Sequence, residues 1–247
     1  MKLLLVNPNL TQAVTDRVVA EGRRVARPDT DLTGITGTFG VAIVSTEAEV
    51  AIAAHATLDL IAAHQAGQDG AVVAMSFDAG ALAARRLFPF PVLGITEAAI
   101  HTACLLGRRF GMIVSGAVSV PLYLDLLATT GLRDRMTALE VIDLSSAAAY
   151  LDSEAVEARL LEAAQKLSLR PEIEAIVLCG AAVAGIAHRL QPRLAVPLID
   201  GVAAATGLLE TLVGLRLRPK ARAAALSAGS PAIGLGAALS QILGSHA

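Results

Sequence analysis

Two apolar runs in this chain end on small side chains able to carry a proton. Val72-Val73-Ala74-Met75 runs into Ser76-Phe77-Asp78, and Ile176-Val177-Leu178 runs into Cys179-Gly180-Ala181-Ala182. Each reads as a buried strand that stops at a nucleophilic residue and turns into a helix. A hydroxyl from one half of the chain and a thiol from the other predict a site that moves protons on two sides of one ligand, with Ser76 and Cys179 as the catalytic pair. Small residues after Cys179 let backbone N–H groups approach a ligand. A helix N-terminus there would lower a thiol's pKa from its usual ~8.5. The same positions have plainer uses. A free Cys packs as a small hydrophobe, and Ser is a common cap or turn residue. Cys104, inside Thr102-Ala103-Cys104-Leu105-Leu106, reads as core.

Other polar groups fall at strand ends. Asn7-Pro8-Asn9 and Ser115-Gly116 each follow an apolar run. Their amides, hydroxyl and open backbone can hold a carbonyl or carboxylate, or simply make a turn. The expected ligand contacts are Asn7, Asn9, Phe77, Asp78, Ser115, Gly116, Gly180 and Ala181. Phe77 would keep water out, and Asp78 also suits the cap of a helix starting at Ala79. Phe39, Val41 and Val118 are expected to add apolar surface near the cleft. Glu97 and Asp200 open helices, where a carboxylate suits the dipole, so both read as structural. The five His show no metal-ligand spacing, and the dinucleotide, P-loop and serine-hydrolase elbow motifs are absent. No metal and no cofactor are expected.

The elements needed to hold these residues follow from the pattern. Short apolar runs alternate with helical periodicity: strands at Leu3–Val6, Asp31–Thr36, Ala71–Met75, Val92–Ile95, Phe110–Val114, Thr137–Ile142, Ala175–Leu178 and Leu198–Ile199, with helices between them and one or two more in the tail after Pro219. Such alternation predicts an α/β fold with parallel sheets and right-handed crossovers. Ligands then sit beyond the carboxyl ends of the strands. Four strands before Glu97 and four after it predict two similar lobes.

The bulk numbers agree. Of 247 residues, 54% are hydrophobic, 3% are aromatic, and the net charge is −2. No basic block is present, which argues against a nucleic-acid partner. Mean hydropathy is high, +0.61, yet no apolar run reaches the ~18 residues that span a bilayer. Sheets buried on both faces account for it. Two Cys and no secretion signal predict a cytoplasmic protein, and the apolar Ala-rich helices predict a homo-oligomer.

The chain also resembles the Asp/Glu/hydantoin racemase superfamily, most closely its hydantoin and allantoin racemase branch. The resemblance covers nearly the whole chain. It rests on Asn7-Pro8-Asn9, Ser76-Phe77-Asp78, Pro91-Val92-Leu93-Gly94-Ile95 with Glu97-Ala98-Ala99, Gly107-Arg108-Arg109-Phe110, Ile176-Val177-Leu178-Cys179-Gly180 and Val196-Pro197-Leu198-Ile199-Asp200-Gly201-Val202-Ala203. It implies two flavodoxin-like lobes related by a pseudo-two-fold: residues 1–96, completed by helices in about 205–247, and residues 97–204. It implies cofactor-independent racemisation at a carbon beside a carbonyl, with one Cys from each lobe facing that carbon. The substrate would be a small cyclic amide of the hydantoin type or an amino-acid-like carboxylate.

Two departures stand out. Ser76 occupies the place of the first-lobe Cys. Cys179 lies one place early, because hydantoin racemases read Gly-Cys-Ala-Gly where this chain reads Cys179-Gly180-Ala181-Ala182. Three readings follow: a racemase impaired by Ser76, a one-thiol decarboxylase or isomerase resembling the arylmalonate decarboxylases, or a non-catalytic small-molecule binding protein.

Overall fold

The computed structural model describes residues 1–143, 153–219 and 233–244. Among these, the strands form two parallel sheets of four. β1 (Lys2–Asn7), β2 (Asp31–Thr36), β3 (Gly70–Val73) and β4 (Val92–Gly94) make the first, in the order β2-β1-β3-β4. β5 (Phe110–Ser115), β6 (Met136–Ile142), β7 (Ala175–Leu178) and β8 (Leu198–Asp200) make the second, in the order β6-β5-β7-β8. The two lobes thus share one topology, as the strand count predicted. The intervening helices are α1 (Gln12–Val25), α2 (Glu47–His64), α3 (Ala81–Leu87), α4 (Ile95–Leu106), α5 (Val120–Thr130), α6 (Ser153–Ser168), α7 (Ile186–Leu190), α8 (Gly201–Gly214) and α9 (Ala237–Gly244).

The central strands are apolar on both faces because both faces are covered. In β1, Leu4 and Val6 enter one core cluster while Leu3 and Leu5 enter another. In β7, Ala175 and Val177 face the first cluster, and Ile176 and Leu178 face a third. This alternation decides where Cys179 points. After β8, α8 packs against α1, α4 and β3, and α9 lies on α2. Among the described residues no helix is long and apolar enough to cross a membrane.

Several helix ends are set by side chains. Thr46 and Glu49 form a reciprocal cap at the start of α2. Asp200 Oδ1 accepts from the N–H groups of Val202 and Ala203 at α8, the structural role expected of it. Two expectations are corrected. The helix expected at Ala79 starts at Ala81, because Gly80 is in the left-handed region and cannot belong to it. The helix expected at Glu97 starts at Ile95. Its cap comes from residue 78, far away in sequence. The short α7 follows another left-handed glycine, Gly185, and shows too little periodicity to be read. Of the expected tail helices, α9 is described, while residues 220–232 and 245–247 lie outside the described residues.

Candidate active site

A cleft of about 230 Å³ opens at the carboxyl ends of the strands and takes its walls from both lobes. Lobe 1 contributes Asn9, Val14, Ser76 and Phe77, together with Ile43, Val44 and Ser45 from the loop before α2. Lobe 2 contributes Ser115, Gly116, Ser119, Tyr123 and the turn Gly180-Ala181-Ala182-Val183. Among the described residues, none of the lining side chains carries a formal charge. Arg17 on α1 ties the lobes at the rim, donating from Nη1 to the Ala182 carbonyl at 3.3 Å.

Ser76 is held by its backbone and by its neighbour. The Thr96 hydroxyl donates to the Ser76 carbonyl. Two residues on, the Asp78 carboxylate accepts from Thr96 N–H (3.0 Å) and Glu97 N–H (2.7 Å). Those two donors would otherwise be orphans at the start of α4. The turn carrying Ser76 is therefore clamped to the end of another helix. Burial and the nearby Glu97 push the Asp78 carboxyl well up from the usual range, against the pull of its two N–H donors and Arg85. Glu97 itself pairs with Arg85 and accepts from Gly94 N–H, a structural role as expected.

Position 180, not 179, faces Ser76. A Cβ built on Gly180 would lie 4.0 Å from Ser76 Oγ. Gly180 has φ +118°, a conformation that only glycine adopts without strain. Cys179 continues the alternation of Ala175 and Val177 into the core behind the cleft. It is 3% exposed, does not line the cleft, and its N–H donates to Ile113 O at 3.0 Å. Burial pushes its thiol up, and Asp78 adds to this. The expected Ser76–Cys179 pair across one ligand is thus corrected. Ser76 reaches the cleft, but strand periodicity turns Cys179 to the opposite face. Iodoacetamide should leave Cys179 unmodified in the folded chain, and intact-mass spectrometry before and after denaturation checks this. A Cys179 adduct formed on the native protein would contradict its burial.

Asn9, Phe77, Ser115, Gly116, Gly180 and Ala181 line the cleft as expected. Asn7 and Asp78 do not. Asn7 is fully buried, with Nδ2 donating to Asn9 Oδ1, Thr11 O and Thr15 Oγ1. It shapes the turn that presents Asn9. Phe39, Val41 and Val118 also miss the cleft. Phe39 meets His55 edge-on, with ring centroids 5.6 Å apart, and Val118 is 72% exposed. Ile43, Val44, Val14 and Val183 supply the apolar surface instead. Reading the sequence missed Tyr123. Its only signal was an aromatic phenol in the first turn of the helix after Ser115-Gly116.

The model of the family described as Asp/Glu/Hydantoin racemase matches residues 3–209. The chain belongs to this family. A hydantoin racemase of Rhizobium meliloti is 33% identical over 215 residues, covering 87% of this chain and 89% of that protein. The structure of an allantoin racemase from Klebsiella pneumoniae superposes with TM-score 0.85 at 34% identity, over 89% of this chain and 90% of that one. An allantoin racemase from Pseudomonas fluorescens gives TM-score 0.84 at 31% identity, over 89% and 94%. For this racemase family member, the cleft at the facing strand ends is the candidate active site. Within it, the group facing position 180 is a hydroxyl, and position 180 carries no side chain.

Proposed function

We propose that this chain is a cofactor-independent enzyme that transfers the proton at a carbon beside a carbonyl, acting on a small cyclic amide of the hydantoin or allantoin type. The observation that carries this reading is the approach of Ser76 to Gly180 at the mouths of two facing sheets, within a small cleft of uncharged walls. A cleft with no cationic side chain among its described residues suits a neutral ring better than an amino-acid carboxylate. Ser115, Ser45 and the backbone around Gly116 and Ala181 are available to a carbonyl oxygen as it gains charge. Ser76 Oγ serves one face of the ring carbon: its lone pair takes the C5 proton as the hydroxyl proton passes to solvent in the open cleft, and solvent returns a proton to the other face. A hydroxyl is a weaker acid than a thiol, so turnover slower than that of a thiol pair is expected.

The test is loss of the ring C5 proton from 5-substituted hydantoins and allantoin in deuterated water, followed by NMR together with optical rotation. Exchange and racemisation above the protein-free rate are expected, and rates equal to the protein-free rate would overturn the reading. A second reading, a non-catalytic binding protein, has one observation in its favour: among the described residues no thiol, imidazole or carboxylate lines the cleft. It would give saturable binding of these probes without exchange. The decarboxylase alternative needs a thiol facing the ligand, and Cys179 lies behind the wall.

A further inference from the structure

We propose that Asn7 is a positioning residue for Asn9: it locks the Asn9 amide with its oxygen held in the turn and its NH₂ offered to the ligand, so that this corner of the cleft takes a carbonyl oxygen and refuses an N–H. The inference deepens the function proposed above and rests on it.

The two ends of a side-chain amide are told apart by the groups they meet. Backbone groups, whose roles are fixed, decide both amides here. Thr11 N–H donates to the Asn9 side chain at 2.9 Å, so the atom it meets is Oδ1. Asn9 N–H donates to the Asn7 side chain at 3.3 Å, so that atom is an oxygen too. The other end of Asn7, Nδ2, lies 3.2 Å from the Thr11 carbonyl, where only a donor fits. The same Nδ2 reaches Asn9 Oδ1 and Thr15 Oγ1, each at 3.0 Å. Thr15 can accept there because its own proton passes on. Thr15 Oγ1 meets Thr36 Oγ1, and Thr36 donates to Gln12 Oε1 at 2.8 Å. This chain of hydrogen bonds therefore runs in one direction. Reversing the Asn7 amide would set oxygen against oxygen at Thr11 and donor against donor at Asn9.

The Asn9 amide is fixed as a consequence. Two donors occupy its Oδ1, one of them from the fully buried Asn7 side chain. No described residue accepts from Asn9 Nδ2, and Asn9 lines the cleft. Its free end is a donor of set direction. The hydroxyls of Ser45 and Ser115 in the same walls can turn to donate or to accept; Asn9 cannot. Carbonyl and N–H groups alternate around a hydantoin ring, so a donor that cannot turn selects how the ring is seated. That choice sets which ring atom is presented to Ser76.

Asn7 and Asn9 are the two asparagines of the chain. Asparagine carrying nitrogen-15 in its side chain therefore gives two NH₂ signals, assigned by the loss of one in Asn9→Asp. In the ligand-free protein the Asn9 group should exchange with water at least about tenfold faster than the Asn7 group, which is buried and bonded. Equal protection would overturn the orientation. 5,5-Dimethylhydantoin, which has no C5 proton to lose, is the binding probe. It should shift the Asn9 signal. Asn9→Asp keeps the oxygen that Thr11 and Asn7 hold and exchanges the NH₂ for a second oxygen. It should weaken binding of the probe at least about tenfold, the worth of one well-placed hydrogen bond, with the melting temperature unchanged. Binding as tight as that of the wild type would overturn the proposal. Asn7→Ser keeps an oxygen for Asn9 N–H and removes the NH₂. It should weaken binding in the wild-type chain but not in an Asn9→Ala background, and equal losses in both would mark Asn7 as merely structural. A wild-type chain that neither binds the probe nor exchanges a C5 proton would sink the proposed function, while the two NH₂ exchange rates still judge the Asn7–Asn9 lock.

Discussion

Replacing Ser76 by Ala is expected to cut proton exchange at the ligand carbon by at least about 100-fold, the low end of what a positioned acid–base group contributes. Cys179→Ala is expected to leave the rate within about twofold, since removing a group that does not touch substrate costs no transition-state contact. The two substitutions delete one heteroatom each, from residues that the sequence presented as a matched pair. Their unequal effect follows from direction alone. Ser76 Oγ faces the cleft and the turn at Gly180, while the Cys179 side chain lies in the core among Val177, Ile199 and their neighbours. Kinetics of both variants in deuterated water decide the matter. A Cys179→Ala chain that loses turnover while keeping its melting temperature would overturn the assignment of Ser76.

Gly94→Ala is expected to destabilise the fold by about 3 kcal/mol, the upper range for an overpacked buried site, and to take activity with it. Gly94 has an ordinary φ of −85°, so no backbone strain is involved. The cause is space: an added Cβ would meet the Asp78 carboxyl carbon at 2.0 Å and its Oδ1 at 2.4 Å. The carboxylate must leave the Thr96 and Glu97 N–H groups, and each buried unpaired donor costs about 1–3 kcal/mol. The turn from Ser76 to Asp78 then loses its anchor on α4. For a chain of this size the melting temperature should drop by roughly 6–12 °C, measured by circular dichroism. Asp78→Asn should cost less, because one amide oxygen can still accept one of the two N–H groups, while its NH₂ opposes the other. A Gly94→Ala chain that melts like the wild type would refute the clamp.

Much of this was legible in the sequence for local reasons. Short apolar runs such as Leu3–Val6 and Ile176–Leu178 lie within the strands β1 and β7, because a strand buried on both faces needs no alternation. Asn9, Ser76, Phe77, Ser115, Gly116, Gly180 and Ala181 were legible as cleft residues because strand ends converge in an open parallel sheet. The start of α4 was not, because its cap is Asp78, eighteen residues upstream of Thr96.

By itself, then, the sequence determined the two-lobed parallel fold and the strand ends at which chemistry is possible, since both follow from periodicity along the chain. Only the tertiary structure decided which side chains face the ligand. A strand's side chains alternate by 180°, so a shift of one position moves a thiol from cleft to core. That phase is set by the contacts of β7 with its neighbours, not by the residues of Cys179-Gly180 themselves.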